Sequence, residues 1–228
     1  VWRMNRDGRS LPSPRTIGLA ALTGFLGYGL SAYFDFKGLE YISAQLERLV
    51  LFTYPIFVMF LAWAFLGQKP RVMGMFGAAI TYAGLMIVFL IDLPEGGRNV
   101  ILGTALVLGC SITFAVYQLL AKKIISFMGS LLFTAIAMSG SSVACILHYM
   151  ITQQTTSFAA SPRFLALGAG TAFFATVLPS FLVNAGLSRV SAQSTSMIAT
   201  FSPVLTIALA VAILGEKFTF ADAIGSAM

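Results

Sequence analysis

Charged residues divide this chain into long uncharged stretches, and that spacing constrains its fold more than any other feature. The stretches cover residues 16–34, 49–68, 72–91, 99–121, 124–162, 164–188 and 190–215. A helix that crosses the hydrocarbon core of a bilayer takes about 20 mainly apolar residues. Stretch 124–162 has room for one such helix, followed by the polar run from Thr152 to Ser157. The spacing predicts seven spans, at 17–36, 43–66, 72–91, 100–121, 126–151, 164–187 and 191–214. The segments are solidly apolar, without the two-residue alternation of barrel strands, so the fold class is an all-α polytopic membrane protein.

Composition closes the other routes. Apolar residues make up 58% of the 228 and charged ones 10%, with a mean hydropathy of +0.89. A soluble domain carries about 25% charged residues. A disordered chain would lack this apolar and aromatic mass. Cys110 and Cys145, the two cysteines, sit inside apolar runs and make no disulfide scaffold. Both ends read as cut: the chain starts Val1-Trp2-Arg3, and 221–228 opens like an eighth span and stops.

Basic residues in short loops prefer the cytoplasmic face. With the loops numbered alternately, one side collects Arg3, Arg6, Arg9, Arg15, Lys69, Arg71, Lys122, Lys123 and Arg189. The other collects Lys37, Arg98, Arg163 and Lys217. Nine against four places the N-terminal segment in the cytoplasm. The net charge of +6 is thus sorted by membrane side, not gathered into the basic face that a nucleic acid would need. The lipid bilayer is the expected partner, and no nucleic acid is.

An offset of 148 residues brings the chain onto itself without a gap. Gly38-Leu39 falls on Gly186-Leu187, Ser43-Ala44-Gln45 on Ser191-Ala192-Gln193, and Pro55 on Pro203. Leu61-Ala62, Ala64, Leu66-Gly67, Lys69, Gly77 and Ala79 also find identical partners. The second span therefore matches the seventh, five spans later. Five is odd, and each span reverses direction, so the matched helices run oppositely. An inverted repeat of five helices follows, and inverted repeats mark secondary transporters, with the substrate near the midplane at the repeat interface.

The segment Gly38-Leu39-Glu40-Tyr41-Ile42-Ser43-Ala44, Pro55 and Leu66-Gly67-Gln68-Lys69 resemble the EamA-type repeat of the drug/metabolite transporter superfamily. So do Pro203, Leu214-Gly215-Glu216-Lys217 and Gly225. The resemblance implies ten helices in two inverted halves. Residues 1–96 would hold the last three helices of the first repeat, and 97–228 the second repeat without most of its last helix. It also implies a carrier of metabolites, amino acids or drugs, here read as an exporter in a bacterial inner membrane, with a small-molecule substrate. A homodimer stays open as its assembly. Glu47-Arg48 departs from the pattern, standing where the second repeat has Thr195-Ser196.

Proline removes a donor and frees the carbonyl four residues back. Pro55 and Pro203 therefore mark either tolerated kinks or broken helices at a cavity, beside Tyr54 and Ser202. Glu47 and Arg48 lie one to two turns inside the second span, where a charge costs about 2.5–3.5 kcal/mol or more. They either snorkel and pair within the bundle, or bind an ionic group of substrate or a coupling proton. Tyr54, Tyr117 and Asn184 combine depth with an aromatic face or two-way hydrogen bonding, and are the leading cavity candidates. The pairs Ala20/Gly24 and Ala79/Ala83 have the spacing for close helix packing. The single His148 reads as interfacial, with a proton relay as the alternative.

Enzyme signatures such as His-Glu-x-x-His and Gly-x-Ser-x-Gly do not occur, so no catalytic residue is assigned. One histidine and two distant cysteines offer no metal set. No nucleotide-binding motif occurs in the chain, no cofactor is expected, and substrate or ion gradients, or a partner, are left to drive transport. A channel or structural membrane protein without alternating access is the rival reading.

Overall fold

The computed structural model describes residues 12–68, 77, 98–152 and 161–199. Among these, every regular element is a helix. We label them α1 (Pro14–Leu39), α2 (Ala44–Leu51), α3 (Tyr54–Leu66), α4 (Arg98–Met128), α5 (Ser130–Thr152), α6 (Pro162–Arg189) and α7 (Ala192–Ala199). Five stretches are long and apolar enough to cross a membrane: α1, Leu46–Leu66, Asn99–Met128, α5 and α6. The span expected at 72–91 apart from residue 77, the end of the one at 191–214, and Ala79, Ala83, Ser202 and Pro203 lie outside the described residues.

One boundary needs correcting. The sequence reading ended the fourth span at 121 and began the fifth at 126, because Lys122 and Lys123 looked like a loop. Instead α4 continues to Met128, and Gly129 alone makes the turn at φ +82°. Only glycine adopts that backbone at no steric cost. The Lys122 ammonium stays polar by donating to the carbonyls of Leu187 (2.8 Å) and Ser188 (3.3 Å), which the end of α6 leaves open.

Residues form two compact units. The first contains α1 up to Leu30, α4 from Tyr117, α5 and α6. Here α1 meets α5 through small residues. Ala20 and Gly24 are buried, and a Cβ on Gly24 would overlap the Ala137 carbonyl. Gly140 of α5 packs against Ala21 in the same way. Lipid tails give helices no reason to associate by hydrophobicity, so such close backbone approach supplies the dispersion energy. Thr23 and Thr134 turn their hydroxyls back to Leu19 and Ser130 carbonyls, which keeps them satisfied inside apolar surroundings.

The second unit contains α1 from Ser31, α2, α3, α4 up to Val116, and α7. Ile42, Leu46, Val50, Val100 and Val107 form its core. Gly38 lets α1 approach α4 at Val107. The second span is broken: α2 stops at Leu51, and α3 resumes at Tyr54 with Pro55 in its first turn.

The helices also repeat locally at the 148-residue offset. Ser13 and Ser161 each cap a helix, accepting from the N–H of Thr16 and Phe164, and each is followed by Pro-Arg. Both α1 and α6 then widen to a π-turn, at Phe25–Leu30 and Ala172–Val177. In α6 the cause is legible: Pro179 cannot donate to Ala175, and a π-turn absorbs the lost bond. Each long helix ends before a short turn, after which α2 starts at Ala44 and α7 at Ala192.

Candidate functional site

Two buried polar clusters stand out, one in each unit. In the first unit α1, α4 and α6 contribute Tyr28, Tyr117 and Asn184. Tyr117 Oη donates to Asn184 Oδ1 at 3.0 Å, and Asn184 Nδ2 donates to Tyr28 Oη at 3.2 Å. The two tyrosine hydroxyls are 2.8 Å apart, closing a triangle. Asn184 is 0% exposed and Tyr117 1%, while Tyr28 is half-buried. The rings of Tyr28 and Tyr117 meet edge to face at 5.2 Å, and Phe133 stacks on Tyr117 at 6.3 Å. Gly27 makes the fit possible, because a Cβ there would run into the Tyr117 ring. The sequence reading named Tyr117 and Asn184, and the fold brings them into direct contact. It missed Tyr28, whose signal is the run Gly24, Gly27, Gly29 around a tyrosine at mid-span.

In the second unit the break at Pro55 is chemically closed. The carbonyl that Pro55 cannot use is that of Leu51, and Ser111 Oγ donates to it at 3.3 Å and to Val50 at 3.1 Å. Thr53 Oγ1 also donates to Val50, at 2.6 Å. Tyr54 is buried with its ring edge-on to Phe114 at 5.2 Å. Glu47 is buried, whereas the Arg48 side chain is 71% exposed and touches it at only 3.6 Å. Asp35 of α1 is the other charged neighbour of Glu47, and its Oδ1 is buried with no partner among the described residues. Ser31, one turn before Asp35, hydrogen-bonds Thr113 at 2.8 Å.

A groove of about 440 Å³ lies against Ala21, Ala135, Ile136, Ser139, Gly140 and Val143. None of the expected site residues lines it. Among the described residues, no group of three or more His, Cys, Asp or Glu could hold a metal ion.

The model of the EamA-like transporter family matches residues 4–90 and 101–228. The uncharacterized transporter YcbK of Bacillus subtilis (strain 168) is 30% identical over 212 residues, covering 89% of this chain and 66% of that protein. The uncharacterized transporter sll1319 of Synechocystis sp. is 25% identical over 185 residues, covering 79% of this chain and 55% of that one. The chain thus spans two thirds or less of the length of these curated relatives. A solved crystal structure superposes with a TM-score of 0.69 at 16% identity, over 99% of this chain and 78% of the other, a likeness of fold.

Proposed function

The chain belongs to the EamA-like transporter family, and from that premise we propose a gradient-driven exporter of small metabolites, amino acids or drug-like solutes that works by alternating access. Its place is a bacterial plasma membrane, with the N-terminal segment cytoplasmic. The observation that carries the reading is the recurrence of helix landmarks at one fixed offset. A Ser-Pro start, a π-turn at mid-span and a short turn leading to a new helix occur twice, 148 residues apart to within one residue. Two copies of one helical unit, set in opposite directions across the membrane, can exchange conformations and so expose a central site to either side. The odd count of spans between the copies supplies the opposite directions, and that count includes the span at 72–91.

In the first unit the solute would meet neutral hydrogen-bonding groups at Tyr28, Tyr117 and Asn184. Flux measured with the protein in liposomes tests the proposal, using a mixture of labelled amino acids. An alternating-access carrier saturates, and solute on the far side accelerates its exchange. Linear flux without that acceleration is the behaviour of a channel and would overturn the reading.

A further inference from the structure

The hydrogen-bond triangle of the first unit has a direction. Tyr117 spends its only hydroxyl proton on Asn184, so the proton between the two tyrosines belongs to Tyr28. Tyr28 therefore donates to Tyr117, Tyr117 to Asn184, and Asn184 back to Tyr28. Within the ring each member gives one hydrogen bond and receives one. Turning the Asn184 amide over reverses the circulation without breaking it, so the closed ring does not depend on that assignment.

We propose that this ring is the solute-recognition element of the first unit, and that it selects neutral groups able both to donate and to accept, a hydroxyl or a carboxamide. This deepens the transport reading and rests on it. A ligand entering a one-way ring replaces a bond by two: it must accept from one member and donate to the next. A hydroxyl does so with one atom, and a carboxamide with adjacent atoms. An ammonium only donates and a carboxylate only accepts, so each leaves a ring member facing its own kind in a buried place, where an unmade hydrogen bond is costly. Entry runs through Tyr28, since Asn184 and Tyr117 are sealed and Tyr28 is the partly accessible member. It is also the member held on a π-turn, a distortion that recurs at functional places in helices. The Tyr28 ring, held edge-on to the buried Tyr117, offers an aromatic surface to the body of such a solute.

The test uses four probes of one skeleton: benzamide, benzyl alcohol, protonated benzylamine and benzoate. Binding to the purified protein is read from the concentration dependence of its melting temperature. The wild type is expected to hold benzamide and benzyl alcohol about tenfold more tightly than the two ions, the effect of one misplaced buried hydrogen bond. Tyr28→Phe keeps the ring contact but cuts the circulation, and should bring the four within about twofold. Asn184→Asp, which can only accept, should move the preference to benzylamine. Equal binding of ions and neutrals by the wild type, binding of none of them, or a ranking unmoved by both substitutions would overturn the proposal. Saturable flux of the same probes in liposomes is scored separately. Selective binding without flux counts against the transport reading alone, and saturable flux without selectivity counts against the ring alone.

Discussion

Single atoms decide how closely the first unit packs. Gly24 has the backbone of α5 where a side chain would be, so Gly24→Val must push two helices apart. Overpacking of this kind costs about 1–3 kcal/mol, and a melting curve in detergent should register the loss. Gly18, with nothing near its missing Cβ, should accept the same change with little effect. Tyr117→Phe removes one donor and one acceptor from a buried ring, and should destabilise by about 1–3 kcal/mol in the same assay. The Ala20/Gly24 contact was legible in the sequence because small residues four apart share a helix face. Tyr28 was not, because its partners Tyr117 and Asn184 lie 89 and 156 positions away, and only the closed fold joins them.

At the scale of the element, the second span shows how a membrane helix survives a break. Pro55 frees a carbonyl in a place without water, and a serine from another helix answers it. Ser111→Ala leaves the Leu51 carbonyl without that donor and should cost about 1–2 kcal/mol in thermal stability. Pro55→Ala restores the N–H, so the penalty of Ser111→Ala should shrink in the double variant, and the difference measures their coupling. The sequence named both the proline and the orphaned carbonyl, since these follow from covalent structure alone. It did not name Ser111, which is 60 positions from Leu51. The end of α4 escaped for a different reason. Charge was taken to end a span, but a lysine reaching the carbonyls of α6 lets its own helix continue.

For the whole molecule, charge spacing was enough to reveal an integral membrane protein, because hydrocarbon tolerates so few alternatives. The direction of each span is a further matter. Cysteines placed at Lys122 and Ser157, in a background lacking Cys110 and Cys145, should react with impermeant reagent from opposite sides of the membrane. Labelling of both from one side would remove the odd parity on which the opposed copies rest. The paired π-turns carry one more consequence. A π-turn is an α-helix that has taken in one extra residue, so everything beyond it is rotated about its axis. In α6 that rotation sets the face on which Asn184 lies, beyond the π-turn at Ala172–Val177, and with it the hydrogen bond that Asn184 makes to Tyr28.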